Sequence, residues 1–287
     1  MFVLVTTGAS GAIVLETGTI SPAARAQVGE LLREWRRRRR LSQLELALEA
    51  GVSTRHLSFV ETGRSRPSPE LVLHLAEQLE VPLRERNRLL LAAGYAPVFE
   101  ERSLDEPEMA PVRDTVQVVL EGHHPSPAIA VDHGWALVAH NRGAALLMAG
   151  LPEQLLAPPL NVLRASLHPD GLARRIVNLR QWKDHVLGRL ARQAMMTGDP
   201  ALRTLYRELD AYPAPADDGP DPLAVPADEV AVPLRLRSDD GGELRFISTV
   251  TTFGTPADIT VEELSIESFF PADAHTADLL HRHVAGG

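Results

Sequence analysis

Between residues 41 and 63 the apolar positions follow two short helical repeats with a tight turn between them. The first repeat has the i, i+3 and i+4 spacing that side chains on one helix face share, and its members are Leu44, Ala47 and Leu48. The second repeat carries Leu57 and Val60. This pattern predicts a helix-turn-helix, a motif whose second helix lies in the major groove of DNA.

Residues at the expected helix ends support the same two helices. Ser42 and Glu45 have the spacing of a capping box, so a helix begins directly after Ser42. Gly51 stands where a left-handed residue would end that helix. Ser53 is a favourable N-cap for the second helix, and Gly63 ends it.

Three more helices are expected around this pair. The first runs over residues 28–40, and its apolar stripe consists of Val28, Leu31, Leu32 and Trp35. Ser68 caps a later helix whose first position is a proline, where the missing N–H costs nothing. The last begins at Pro82 and ends at Gly94. We therefore predict a small all-α domain of five helices over residues 25–95.

This part of the chain resembles the repressor-type (Xre/Cro-like) helix-turn-helix family over about residues 28–94. The residues that match the family pattern are Ser42, Gln43, Ala47, Gly51, Val52, Ser53, Leu57, Ser58, Glu61 and Gly63. The resemblance implies binding to double-stranded DNA, and a homodimer would present one second helix to each half-site. The alternative is an ordinary helical hairpin that binds no DNA.

The resemblance also implies which side chains meet DNA. Gln43 would contact a phosphate, and Arg55 could donate two hydrogen bonds to one guanine. Phe59 departs from the polar residue common at its position, and it would touch a thymine methyl or pack against the flanking loop. The complete predicted set is Arg36, Arg40, Gln43, Ser53, Thr54, Arg55, Ser58, Arg64 and Arg66.

Charge is unevenly distributed along the chain, whose net charge is −9. Residues 25–95 hold 13 arginines and 9 acidic residues, a net charge of +4. Residues 96–287 hold 16 basic and 28 acidic residues, a net charge of −12. Such segregation is expected when one domain approaches phosphates. Within the basic part, residues 36–40 are consecutive arginines, which form either a solvated face or phosphate contacts.

The rest of the chain divides into an extension, a linker and a second domain. Residues 1–24 have no basic segment typical of a signal peptide, and we interpret them as an extension outside the core. Residues 96–110 are acidic, contain prolines and are expected to be a linker. Residues 111–287 form the second domain. We expect a cytoplasmic protein, because no stretch is apolar enough for a membrane span.

The second domain alternates between strand and helix patterns. Residues 127–132 and 135–140 predict a short hairpin, and residues 169–196 predict one or two helices. Longer strands follow over residues 232–237 and 244–252. A hairpin, then helices, then a β-meander is typical of a PAS-like α+β fold. Such a fold has an antiparallel sheet with helices on one face and a cavity between the layers.

Several long segments resemble the ligand-binding half of MmyB-type transcriptional regulators. The segments are PAIAVDHGWALVAHN, LRASLHPDGLARRIVN, WKDHVLGRL, DPALRTLYRELDAYP and STVTTFGTPADITVEELSIESFFPAD. In that family an Xre-like domain precedes a PAS-like domain whose cavity can hold a fatty-acid-like molecule. The resemblance implies a small apolar effector and no required cofactor.

An acid-headed ligand would need an apolar wall with a few basic or polar groups, since charge-assisted hydrogen bonds hold a carboxylate. The candidates are Trp135, Arg164, His168, Arg175, Asn178, Trp182, His185, Phe246 and Phe253. Each also has a plain structural interpretation, because a tryptophan at helical spacing is usually core and an arginine on a long helix is usually solvated.

The sequence carries weaker signals for metal binding and for catalysis. The chain has no cysteine, and its histidines lack zinc-ligand spacing, so we predict no metal site. Ser166, His168 and Asp170 alternate, but no nucleophile elbow is present, so we predict no catalytic residues and no enzyme. Two alternatives to a ligand-responsive regulator stay open. One is an antitoxin-like DNA-binding factor whose second domain grips a protein, and the other is an enzyme domain fused to a DNA-binding module.

Overall fold

The computed structural model describes residues 22–216, 232–238 and 241–285. The chain divides into two compact units. The first comprises Met1–Glu101 with Ala257–Ile259, and the second comprises Arg102–Pro256 with Thr260–Gly287.

Two of the predicted segments fall largely outside the described residues. The extension predicted over residues 1–24 is described only from Pro22, where the first helix already begins. Residues 22–24 are therefore helical, and the helix predicted to start near Val28 starts earlier. The sequence also predicts a polar, proline-rich loop over residues 213–228, which is described only as far as residue 216.

The first unit contains the five helices that the sequence predicts. They are α1 (Pro22–Arg38), α2 (Gln43–Glu49), α3 (Thr54–Glu61), α4 (Pro69–Gln78) and α5 (Leu83–Ala92).

The predicted caps of these helices form. Ser42 Oγ accepts a hydrogen bond from the Glu45 backbone N–H at 3.2 Å, and the Glu45 carboxylate accepts one from the Ser42 N–H at 2.6 Å. This reciprocal pair is the capping box. Ser53 and Ser68 each accept a hydrogen bond from the backbone N–H three residues on, at 3.1 and 3.2 Å. Gly51 has a φ of 62°, the left-handed conformation expected after α2.

The buried face of α2 differs from the predicted one. Leu46 and Ala47 are 0% and 2% exposed, whereas Leu44 and Leu48 are 58% and 72% exposed. The helix has only seven residues and carries two overlapping apolar stripes. Packing against α3 and α4 decides which stripe is buried, and this packing is not visible in the periodicity.

The helices α1 and α3 approach each other closely at Gly29. A Cβ atom at this position would lie 2.5 Å from the carbonyl oxygen of Val60 and 2.7 Å from that of Glu61. Both are backbone atoms of α3, so no side-chain rotation can relieve the contact. The crossing therefore depends on a residue without a side chain.

The second unit is built on one antiparallel sheet of five strands, in the order β2-β1-β5-β4-β3. The strands are β1 (Ala128–Val131), β2 (Leu137–His140), β3 (Leu234–Arg237), β4 (Glu243–Thr252) and β5 (Ser265–Pro271). A hairpin leads into helices and then a meander, so the predicted PAS-like α+β class is confirmed. The sequence of residues 258–270 is compatible with either a strand or a short helix, and the structure has a short helix followed by β5.

The helices of this unit range from four to nineteen residues in length. They are α6 (Ala110–Gly122), α7 (Ala145–Met148), α8 (Glu153–Leu156), α9 (Val162–Leu167), α10 (Leu179–Thr197), α11 (Pro200–Asp210), α12 (Ile259–Glu263) and α13 (Ala274–Ala285). Within the described part of the chain, no helix combines the length and the apolar character that crossing a bilayer requires.

Both faces of the sheet are covered, which corrects the expectation that helices lie on one face only. In β1, Ile129 and Val131 belong to a large core that includes residues of α9, α10 and α11. The alternate residues Ala128 and Ala130 pack instead with Leu120 of α6 in a second cluster. Successive side chains of a strand point to opposite faces, so a single strand serves both cores.

We expect Gly29→Ala to destabilise the first unit by about 1–3 kcal/mol, because the added methyl group overpacks a backbone contact. Amide hydrogen exchange of the full chain measures the effect, as faster exchange in α1 and α3. Gly122→Ala is the matched control, because a Cβ there meets nothing within 4 Å. Unchanged protection of α1 and α3 in Gly29→Ala would show that the helices can separate without cost.

Candidate DNA-binding surface and ligand cavity

The second helix of the motif, α3, has one buried and one exposed face. Leu57 and Val60 are each 1% exposed and hold the helix on the core of the first unit. The opposite side carries Thr54, Arg55 and His56, all exposed. The predicted base-facing side chains Thr54 and Arg55 are therefore accessible.

Phe59 stands next to this exposed face and is flanked by two cations. The guanidinium of Arg55 lies 5.3 Å from the centre of its ring, and that of Arg64 lies 5.9 Å away. Arg64 belongs to the loop after α3, so of the two roles expected for Phe59 the contact with this loop is present. These cation–π contacts hold two of the predicted DNA-contacting arginines beside the helix.

Arg36 is not a phosphate contact, because it lies inside the unit in an ion pair with Glu61. Its Nε donates a hydrogen bond to Glu61 Oε1 at 2.6 Å, and its Nη2 donates one to Oε2 at 2.8 Å. A third bond, from Nη1 to the carbonyl oxygen of Leu41, measures 2.8 Å. The Glu61 side chain is fully buried, and a fork-to-fork pair of this kind is the strongest arginine–carboxylate geometry.

Gln43 also turns to this carboxylate rather than outward. Its side-chain amide donates a hydrogen bond to Glu61 Oε2 at 2.8 Å, and Arg33 donates one to the Glu61 carbonyl oxygen at 3.0 Å. The predicted phosphate contact of the Gln43 side chain is thus replaced by an internal bond. One carboxylate therefore connects α1, α2 and the end of α3.

The pKa of the Glu61 carboxyl is lowered from its ordinary value. Burial opposes ionisation, but the hydrogen bonds from Arg36 and Gln43 and the positive charge of Arg36 outweigh it. The hydrogen bonds that Arg36 donates to Glu61 raise the pKa of Arg36 against the opposing effect of burial. Both groups are therefore charged at neutral pH.

The remaining arginines of the run 36–40 divide between internal and exposed positions. Arg39 donates hydrogen bonds of 2.7 Å to the carbonyl oxygens of Leu79 and Glu80 at the end of α4. Arg38 lies 4.6 Å from the ring of Trp35 and pairs with a neighbouring glutamate. Arg37 and Arg40 are exposed.

Two more of the predicted DNA contacts have structural partners. Arg66 is half-buried, with its guanidinium 4.6 Å from the ring of Tyr95. Ser53 uses its hydroxyl to cap α3. Ser58 is partly buried on α3 and Arg64 is exposed.

The second unit contains a cavity between the sheet and the helices α7, α9 and α10. It encloses about 680 Å³ of atom-free space, its open mouth included. Its wall is mostly apolar and includes Leu137, Leu147, Met148, Leu163, Val186 and Phe269. A mostly apolar lining with a few polar groups is typical of sites for small molecules.

Polar groups reach this cavity at two places. Arg189 on α10 and Glu267 on β5 form an ion pair with an Nη1–Oε1 distance of 2.7 Å, and both line the wall. Ser166 also lines it, and its hydroxyl accepts a hydrogen bond from Trp182 Nε1 at 3.0 Å.

Of the nine predicted ligand residues, all of which are described, only Trp182 lines the cavity. His185 stacks on Trp182 with ring centres 5.5 Å apart, outside the lining. The pKa of His185 is lowered, first by burial and then by the charge of Arg189. It is therefore mainly uncharged at neutral pH and does not supply the cation expected of it.

The basic residues among these nine contact other groups of the protein instead. Arg164 forms two hydrogen bonds with Glu208, at 2.7 and 2.8 Å, and Arg175 donates one to the carbonyl oxygen of Leu146 at 3.0 Å. His168 packs edge-on against Tyr212, with ring centres 5.3 Å apart.

The other members are parts of the core. Trp135 is 7% exposed and donates from Nε1 to Gln193 at 2.7 Å. The side-chain amide of Asn178, directly before α10, donates a hydrogen bond of 2.9 Å to the carbonyl oxygen of Pro233, directly before β3. Phe246 is 0% exposed, and Phe253 packs in the cluster that α6 covers, on the other face of the sheet.

The prediction missed Arg189 and Glu267. The sequence contains one signal for Glu267, which is the single charged residue of the strand segment SIESFF. Among the described residues, no group of histidine, aspartate and glutamate side chains has an arrangement that could hold a metal ion.

Comparisons with known proteins match both units. Residues 112–282 match the family model described as the MmyB-like transcription regulator ligand binding domain, and residues 32–86 match the model described as helix-turn-helix. The chain is 39% identical over 74 residues to the uncharacterized HTH-type transcriptional regulator RghRB of Bacillus subtilis (strain 168). That match covers 25% of this chain and 51% of the relative, so the chain spans about half the length of this curated relative.

Two solved structures each match about a quarter of the chain. The clp gene regulator ClgR from C. glutamicum is 30% identical, and the match covers 26% of this chain and 92% of that one, with a TM-score of 0.23. The restriction-modification controller protein C.AhdI from Aeromonas hydrophila is 34% identical, and the match covers 22% and 97% of the two chains, with a TM-score of 0.22.

We expect Glu61→Gln to destabilise the first unit by about 3–5 kcal/mol at neutral pH, because Arg36 stays buried and charged without a counterion. Since the folded-state pKa of Glu61 is lowered, its contribution is present above the ordinary carboxyl value of 4.5 and is lost as the pH falls through the folded value. The difference in unfolding free energy between wild type and variant should therefore shrink in acid. Urea unfolding at neutral and acidic pH measures it.

Glu101→Gln is the matched control for this change. Glu101 pairs with Arg84 at the surface of the same unit, and both side chains are at least 40% exposed. We expect its loss to cost less than about 1 kcal/mol. Equal costs for the two variants would contradict the role assigned to the buried pair.

Proposed function

The chain belongs to the family of transcription regulators with an MmyB-like ligand-binding domain, and we propose that its effector is a small, chain-like apolar molecule. It is a DNA-binding transcription regulator. The observation that carries the proposal is the apolar cavity between the sheet and the helices α7, α9 and α10. A fatty-acid-like chain matches a deep apolar wall that has few polar groups.

On the DNA side, we propose that α3 reads bases through Thr54, Arg55 and Ser58. The exposure of Thr54 and Arg55 and their position at the helix N-terminus support this assignment. Arg37, Arg40 and Arg64 are exposed cations of the same unit and are assigned to phosphates. A homodimer would place two such helices on half-sites about one helical turn apart.

The proposed regulation follows from the thermodynamic linkage between effector binding and DNA binding. An effector changes DNA affinity only by its differential affinity for the arrangements that bind DNA well and poorly. The cavity favours this mechanism over the antitoxin-like alternative, which predicts a filled core in the second unit. His168, the key residue of the enzyme alternative, packs on Tyr212 and does not line the cavity.

We expect Arg55→Ala to relax the choice of base and to weaken specific binding by about 1–3 kcal/mol. Arg37→Ala is the comparison, since it removes the same charge from α1. It should weaken binding to all sequences equally and reduce the salt slope by about one unit. Selection of binding sites from random DNA, followed by titrations at several salt concentrations, measures both. Unchanged base preference in Arg55→Ala would contradict the assignment of α3.

Native mass spectrometry of the full chain, followed by identification of any molecule released on denaturation, tests the effector. We expect a small aliphatic compound with wild type and its loss in Ala165→Phe, because Ala165 lines the cavity and phenylalanine fills it. Ala145→Phe is the control, since Ala145 is exposed on α7 and does not line the cavity. If both variants retain the compound equally, it binds elsewhere and the cavity is not the effector site.

A further inference from the structure

We propose that the cavity selects an uncharged head group that both accepts and donates hydrogen bonds, such as a primary amide, over a carboxylate, and that Glu267 sets this preference. This inference rests on the proposed ligand-binding function and specifies the chemistry of the ligand.

The charged residues among those lining the cavity are Arg189 and Glu267. Their side chains are 18% and 6% exposed, so both are largely removed from water. The Nη1–Oε1 distance of 2.7 Å makes them an ion pair whose charges balance. A ligand whose aliphatic chain lies against the apolar wall therefore places its head group next to an ion pair with no net charge.

This pair keeps unused hydrogen-bonding capacity. A guanidinium has five N–H donors and a carboxylate has about four acceptor positions. A single hydrogen bond joins Arg189 to Glu267, and within the described chain neither group has another hydrogen-bond partner. The guanidinium also lies 5.0 Å from the ring of Trp135, a contact that uses none of its N–H groups. A donor and an acceptor thus stand side by side at the wall.

A primary amide complements this arrangement. Its carbonyl oxygen can accept a hydrogen bond from Arg189 while its N–H donates one to Glu267. Hydrogen bonds to charged partners are stronger than those between neutral groups, so both contacts contribute to affinity.

A carboxylate fits the same place poorly. It would add a second negative charge beside Glu267 in an apolar, weakly screened environment, where like charges are costly. It can donate no hydrogen bond to Glu267. Ser166 is the remaining polar residue of the wall, and it is neutral. No second cation among the lining residues balances the added charge.

The position of Glu267 is fixed by the sheet. β5 is flanked by β1 and β4, and Glu267 stands opposite Ile129 on one side and Val250 on the other. Pairing on both sides fixes the backbone of Glu267, so its side chain stays on the face of the sheet that lines the cavity. Rigid placement of this kind is what makes a group selective.

Calorimetric titration of the full chain with decanamide and with sodium decanoate tests the proposal. The two probes share one aliphatic chain, and at about pH 8 the decanoate is ionised. We expect wild type to bind decanamide about tenfold or more tightly than decanoate. Glu267→Gln removes the negative charge and keeps both the size and an oxygen that accepts from Arg189. It should bind decanoate about tenfold more tightly than wild type does, which removes or inverts the preference.

Glu243→Gln is the matched control. Glu243 forms ion pairs with Arg235 and Arg245 on neighbouring sheet positions but does not line the cavity. We expect the wild-type ratio of the two affinities in this variant.

The possible outcomes distinguish a failure of the head-group preference from a failure of the proposed effector site. Tighter binding of decanoate than decanamide by wild type, or a ratio that Glu267→Gln leaves unchanged, overturns the head-group inference while the cavity stays a lipid site. If wild type binds neither probe, or if Ala165→Phe binds both as tightly as wild type, the proposed aliphatic effector site itself fails.

Discussion

The buried carboxylate of Glu61 is the interaction on which the DNA-binding unit depends. It receives hydrogen bonds from Arg36 of α1 and Gln43 of α2, and it ends α3, so three helices meet at one charged group. Gly29 lets α1 approach the same turn of α3. A buried ion pair adds little net stability, because desolvation offsets the attraction, but leaving either partner alone is costly. The pair therefore ties the positions of α1, α2 and the end of α3 to one another, while the burial of Leu57 and Val60 sets the side of α3 that faces outward.

The burial of Arg36 beside Glu61 reduces the number of arginines in the run 36–40 that can face DNA. A charge count treats all of them as DNA-facing, but Arg36 is neutralised internally and Arg39 binds carbonyl oxygens at the end of α4. These contacts act in folding, and positive charge near the end of α1 also suits its helix dipole. The electrostatic attraction to DNA then depends on fewer side chains, chiefly Arg37 and Arg40 within the run.

Features that depend on residues close together in the chain could be predicted from the sequence. Helix existence, the serine caps and the left-handed Gly51 depend on residues a few positions apart, and they were correct. The failures depend on tertiary packing. The buried stripe of α2, the internal position of Arg36 and the inward direction of Glu267 are each decided by partners far along the chain. The α+β layering predicted a cavity between sheet and helices, but of the nine candidate residues only Trp182 lines it, because the rotation of each helix against the sheet is not visible in the periodicity.

The two units contain buried ion pairs that differ in one decisive respect. In the first unit both carboxylate oxygens of Glu61 are occupied, by two bonds from Arg36 and one from Gln43, and the group has no role left except a structural one. In the second unit Arg189 and Glu267 share a single hydrogen bond and stand at the wall of an open cavity. Because a ligand can bond only to donors and acceptors that the protein leaves unused, the saturation of a buried pair distinguishes a structural pair from the pair that we propose recognises a ligand.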